Sequence, residues 1–127
     1  MRFISTHVHG MLDYIWGLLL IASPWLLNFN YGGAETSIPI IIGVSVILMS
    51  LLTDYEMGLA KIFSINFHLI MDVAIGAFLA ASPWLFGFKD YVVAPHLVFG
   101  IFAMAAGLMT VHSPSVHHLQ HENVRNK

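Results

Sequence analysis

The chain has 127 residues, 57% of them apolar and 9% charged, with a formal charge of -2, a mean hydropathy of +0.77 and no cysteine. A soluble domain carries about 25% charged residues, so polar groups cannot cover this surface and the composition points to an integral membrane protein. Low charge excludes a nucleic-acid footprint, apolar content excludes a disordered chain, and the missing thiols exclude a disulfide scaffold, a thiolate metal site, an iron–sulfur cluster and a cysteine nucleophile.

Four apolar stretches follow in chain order, at about 8–29, 38–52, 67–88 and 92–111. The first and third approach the ~20 residues that cross hydrocarbon, whereas the second, nearer 15, reaches only ~22 Å at 1.5 Å per residue. Ser37 before Pro39 reads as the start of the second stretch, Pro95 sits in the first turn of the fourth, and Ser113-Pro114 ends it. The connections are 30–37, 53–66 and a tight turn at 89–91. The expectation is an all-α integral membrane protein with four transmembrane helices. Arg2, Lys61, Arg125 and Lys127 fall on one side of such a bundle and Lys89 on the other, which predicts cytoplasmic N- and C-termini. A cleaved signal peptide is disfavoured by Asp13 inside the first run, by Pro24 just after the would-be cleavage site and by recurrence of the same segment in mid-chain.

That recurrence organises the chain. From His9 to Phe29 and from His68 to Phe88, a shift of 59 positions, ten of 21 residues are identical, including His, Asp, Gly, Ser, Pro and Trp. Upstream the shift pairs Arg2 with Lys61 and Ser5 with Ser64; downstream it falls to 57 and pairs Gly43 with Gly100 and Thr53 with Thr110. Residues 1–60 therefore read as a first repeat and 61–112 as a second, each with two spans, followed by a polar His-rich cytoplasmic tail at 113–127. An even number of spans per copy inserts both in the same direction, giving two parallel two-helix repeats.

Of the charged residues, only Asp13 and Asp72 lie within apolar stretches. An aspartate at mid-helix depth costs about 2.5–3.5 kcal/mol on insertion scales, so each should face a partner. His9, Asp13 and Gly17 share one helix face, as do His68, Asp72 and Gly76, and the glycine lets another helix approach that face. Thr53 and Thr110 sit at similar depth and complete a candidate polar intramembrane cluster of His9, Asp13, Thr53, His68, Asp72 and Thr110. Two symmetry-related His/Asp sites suit proton relay or cation handling; the same residues suit helix capping and interhelical hydrogen bonding, and the second use is favoured because they lie only about one turn in.

Ser23, Pro24 and Trp25 recur as Ser82, Pro83 and Trp84 near the far ends of the first and third stretches. Proline there removes a backbone hydrogen bond, serine can satisfy the freed carbonyl, and tryptophan suits the headgroup boundary, so the motif reads as an interface anchor. Two Ser-Pro-Trp units, each with an upstream His-x-x-x-Asp-x-x-x-Gly helix, together with the linker Thr53-Asp54-Tyr55-Glu56, resemble the SPW-repeat family of small bacterial integral membrane proteins over about residues 1–112. The resemblance implies a four-span membrane protein with two spans per repeat, placed in a bacterial inner (plasma) membrane, and it carries over no catalytic residues.

The remaining signals are weaker. His117, His118 and His121 have helical spacing compatible with metal binding, but an imidazole-only set in a polar tail argues for solvation, so no metal is assigned. His9 and His68 on parallel helices could supply two axial haem ligands, but each has an aspartate one turn on that competes for it, and no cofactor is expected. Gly100, Ala103 and Gly107 form a small-residue seam, within the bundle or between protomers, and His96 reads as an interface histidine. No phosphate loop, nucleophile elbow or His-Glu-x-x-His appears. The expected function is structural or partner-binding and non-enzymatic, with the lipid bilayer and a second copy or another membrane protein as partners. Proton or cation handling by the His/Asp pairs is the alternative.

Overall fold

The structure is a computed structural model that describes residues 2–112. Four helices account for it, α1 Thr6–Leu26, α2 Ala34–Leu51, α3 Ile65–Leu85 and α4 Ala94–Met109, with no strand among the described residues. Ser5 and Ser64 start α1 and α3 alike, each side-chain oxygen accepting from the backbone N–H three residues on, Val8 or Phe67, at 3.2 Å. Both helices then run 21 residues to the Ser-Pro-Trp motif.

The motif ends each helix by a definite chemistry. Pro24 and Pro83 lack the N–H that would bond the carbonyls of Leu20 and Leu79. The preceding serine supplies the donor instead: Ser23 Oγ to Leu20 O at 2.7 Å and Ser82 Oγ to Leu79 O at 2.6 Å. Two residues past each helix the chain turns left-handed, at Asn28 (φ 57°) and Gly87 (φ 73°). The next N–H, of Phe29 or Phe88, then donates to the proline carbonyl at 2.9 Å, closing a Schellman turn. Both phenylalanines are buried, which pins the exit of the chain.

Helix α2 departs from expectation. It starts at Ala34, not at Ser37, and Pro39 lies inside it, not in its first turn. The cause is local: Glu35 Oε1 accepts from the Gly33 N–H at 2.9 Å, so a carboxylate sits on the N-terminal turn and the helix begins earlier. At 18 residues α2 is about 27 Å long. The shortest helix is instead α4, with 16 residues and a proline in its first turn. It stops at Met109, before the Ser113-Pro114 stop expected from sequence, which lies outside the described residues.

Helix α1 packs along α2 and α3 along α4, with lesser contact between α2 and α3 and slight contact between α1 and α4. Each close pair crosses at facing glycines. A Cβ on Gly43 would stand 2.7 Å from the Gly17 carbonyl oxygen, and one on Gly100 would stand 2.5 Å from that of Gly76. The small-residue seam of α4 is thus spent inside the molecule, against α3. Trp16, Leu20, Ile42, Val46 and Leu79 fill the core beyond these crossings. At the opposite end the chain closes on itself twice, through backbone bridges joining Ile4 to Thr110 and Thr53 to Phe63. These bridges place Thr53 and Thr110 directly beneath the helices that carry the histidines.

Candidate functional site

His9 on α1 and His68 on α3 are fully buried, and Asp13 and Asp72 are nearly so. The i, i+4 contacts expected within each helix are present but long: 3.2 Å from His9 Nε2 to Asp13 Oδ2 and 3.4 Å from His68 Nε2 to Asp72 Oδ2. The short contacts cross over. His9 Nε2 lies 2.7 Å from Asp72 Oδ2, and His68 Nε2 lies 2.7 Å from Asp13 Oδ2. What reads from sequence as two sites is therefore one, a closed quadrilateral of two imidazoles and two carboxylates. The rings stand 5.4 Å apart and nearly perpendicular, at 77°.

The threonines settle where the ring protons are. Thr110 Oγ1 spends its single proton on the Ala106 carbonyl at 2.6 Å, as Thr53 Oγ1 does on Met49 O at 2.6 Å. Each hydroxyl can then only accept from the imidazole it touches, so His9 Nδ1–H donates to Thr110 and His68 Nδ1–H to Thr53, both at 2.7 Å. Both Nε2 atoms are thereby turned to the aspartates, and one further proton is shared along each 2.7 Å Nε2–Oδ2 contact. Two shared protons balance two carboxylates, so the buried group is neutral as a whole, as a low-dielectric interior requires.

All four 2.7 Å bonds run between the α1–α2 half and the α3–α4 half. None of them stabilises a helix internally. Ser50 on α2, which sequence reasoning did not single out, adds a hydroxyl donor to Asp13 Oδ2 at 3.1 Å. Its spacing from Thr53, three residues on the same helix face, was the available signal. Around this set the linker folds in. Thr6 Oγ1 donates to the Glu56 carboxylate at 2.6 and 2.8 Å, Tyr14 donates to the Met57 carbonyl, and the buried Tyr55 ring lies 5.8 Å from that of His68. Burial pushes the Tyr55 phenol above its ordinary value, so it stays protonated.

The Ser-Pro-Trp residues lie at the other ends of α1 and α3, apart from this cluster. Ser23, Pro24, Ser82 and Pro83 are buried and terminate the helices, while Trp25 and Trp84 are 56% and 52% exposed. His96, read from sequence as an interface histidine, is buried inside the protein. It is 1% exposed, held between Phe29 and Phe88, and its Nε2–H donates to Glu35 O at 2.9 Å. That carbonyl is the one Pro39 leaves without a helical donor. The tail histidines His117, His118 and His121 lie outside the described residues.

Among the described residues, α2 and α3 are long and apolar enough to cross a membrane, and α4 is a shorter apolar helix. The family model of the SPW repeat domain matches residues 7–110, a span that takes in both Ser-Pro-Trp motifs and the whole His/Asp cluster. No curated protein and no solved structure matches the chain.

Proposed function

The chain belongs to the SPW repeat family, and from that premise we propose that it is a small integral membrane protein whose work is structural or partner-directed, with the crossed His/Asp cluster as a clasp that locks its two helix pairs together. In this proposal each pair is one of two parallel repeats, all four helices span the bilayer of a bacterial inner membrane, and both termini face the cytoplasm. The outer faces support immersion in lipid: Leu18, Ile41, Ile70 and Val98, one on each helix, are 63%, 62%, 66% and 65% exposed where a soluble bundle would carry charge. Among the described residues, charged side chains outside the cluster keep to the ends and connections, as Arg2, Asp54 and Lys61 do at one end and Lys89 and Asp90 at the other.

The observation that carries the clasp is that all four 2.7 Å bonds made by the two histidines join one helix pair to the other. In lipid, apolar packing between helices has little solvent driving force, so a directional polar link is what fixes two hairpins in one arrangement. The same geometry disfavours a transmembrane proton relay. Deeper in the bundle the cluster is followed by Trp16, Leu20, Val46 and Leu79, which offer no chain of carriers. Among the described residues, the hydroxyls that touch it, those of Ser50, Thr53 and Thr110, are spent as donors to Asp13 or to backbone carbonyls, which supports a non-enzymatic role.

The test reconstitutes the wild type and the Asp13→Asn/Asp72→Asn double variant into liposomes and measures proton flux under an imposed gradient together with unfolding in mixed micelles. The clasp predicts wild-type flux equal to that of empty vesicles and a clearly less stable double variant. Wild-type flux above that of empty vesicles, lost in a still-folded double variant, overturns it in favour of the relay.

A further inference from the structure

The clasp has more chemistry in it than a hydrogen-bonded link needs. Amides or hydroxyls could join two helices without the desolvation burden of four ionisable groups. Here two imidazole nitrogens and two carboxylate oxygens, one from each of His9, Asp13, His68 and Asp72, converge so that all lie within 4.8 Å of one another. Building on the clasp, we propose that this cluster is a binding site for one divalent cation of the zinc class, held tetrahedrally by His9 Nε2, His68 Nε2, Asp13 Oδ2 and Asp72 Oδ2.

The geometry is close to what such an ion needs. Metal–ligand distances of about 2.0–2.1 Å put tetrahedral ligand atoms about 3.3 Å apart. Of the six edges, two already measure 3.2 and 3.4 Å and the two at 2.7 Å need to open by about 0.6 Å, while the remaining two, histidine to histidine and aspartate to aspartate, start within 4.8 Å and draw in around the ion. Orientation is prepared as well. A metal-bound imidazole presents one nitrogen to the ion and donates its other N–H to a fixed acceptor. His9 and His68 do this through Nδ1–H to Thr110 and Thr53, whose hydroxyls are themselves anchored on backbone carbonyls. Charge is conserved in the exchange. One dication enters, the two protons shared on the Nε2–Oδ2 contacts leave, and two neutral imidazoles with two carboxylates keep the buried group neutral throughout.

Ligand type selects the ion. Magnesium and calcium prefer six or more oxygens, whereas half of these donors are imidazole nitrogen. Four protein ligands leave no open position, so the site is structural in kind, in keeping with the non-enzymatic reading.

The experiment uses the full chain with His117, His118 and His121 each changed to Gln, so that the tail cannot contribute, purified without a histidine tag and stripped with chelator. Cobalt(II) is titrated in and its visible absorption recorded with proton release, then zinc is added in competition. The expected result is one cobalt per chain with the intense visible bands of a tetrahedral site, about two protons released per ion, and displacement by zinc. Thr53→Val/Thr110→Val retains all four ligands and should weaken affinity about 10- to 100-fold at unchanged stoichiometry. Absence of the tetrahedral spectrum in the otherwise unaltered cluster overturns the proposal, as does an identical spectrum in Asp13→Asn/Asp72→Asn. The clasp itself stands or falls separately, on the metal-free stability of those variants.

Discussion

Asp13 and Asp72 occupy matching positions on α1 and α3 and each faces both histidines, yet their surroundings differ at one point. Asp13 accepts from the Ser50 hydroxyl on α2. The same 57-residue shift that relates the threonines puts Gly107 at the matching place on α4, where a Cβ would come within 2.9 Å of Leu69 O and 3.2 Å of Asp72 Cβ. One pair of helices gains a hydrogen bond to its carboxylate; the other gains closer backbone approach and has no room for the hydroxyl. The two matching segments thus share the crossed bonds and differ in what supports them from behind.

The largest effects should come from removing a carboxylate, which strands the imidazole it faces. Asp72→Ala is expected to cost about 3 kcal/mol of unfolding free energy, as for a broken buried ion pair. Asp13→Ala should cost about 1 kcal/mol more, because it also strands Ser50. SDS titration in mixed micelles measures both. In a Ser50→Ala background the difference between the two should disappear; if it persists, Ser50 is not what distinguishes the halves.

Next come the glycine crossings. In the second pair, a Cβ on Gly100 would meet backbone, Gly76 O at 2.5 Å and Ala80 N at 2.6 Å. In the first, a Cβ on Gly43 would also meet backbone, but less closely, Gly17 O at 2.7 Å and Ile21 N at 3.2 Å, with Ile21 Cγ1 at 2.7 Å. Gly100→Ala is therefore expected to cost about 2–3 kcal/mol and Gly43→Ala about 1–2 kcal/mol. Equal costs in the same titration would mean that the two crossings relax alike.

These comparisons also show what the sequence could disclose. The recurrence of Ser5 as Ser64, the serine-satisfied prolines and the glycines at matching places lie within a helix or at fixed offsets along the chain, so periodicity and repetition expose them. The crossed bonding does not follow from such offsets. The spacing of His9 to Asp13 places both on one face and suggests that they pair, whereas the shorter bond goes to a residue on another helix whose approach only packing decides. The burial of His96 escapes the sequence for a related reason: its partner is a carbonyl orphaned by Pro39, a proline far away in sequence on another helix. The early start of α2 hangs on one carboxylate bending back to Gly33. The long apolar helices and the doubled motif are legible from composition and from the 59-residue shift; the single shared cluster requires three dimensions.

The smallest difference between the halves is the most cleanly testable. After each Ser-Pro-Trp the chain turns left-handed at Asn28 in one copy and Gly87 in the other. Left-handed backbone strains any residue with a Cβ, asparagine least among them, and glycine not at all. A Cβ at Gly87 would meet nothing within 4 Å, so substitution there tests backbone conformation with no packing change. Asn28→Gly is expected to stabilise the protein by about 0.5 kcal/mol and Gly87→Asn to destabilise it by a similar amount, so that exchanging the two leaves stability nearly unchanged. Gly87→Ala, without an amide to bond the local backbone, should cost about 1 kcal/mol. If Asn28→Gly instead lowers stability, the asparagine side chain holds something in the first turn that the second does without, and the two Schellman turns are equivalent in backbone only.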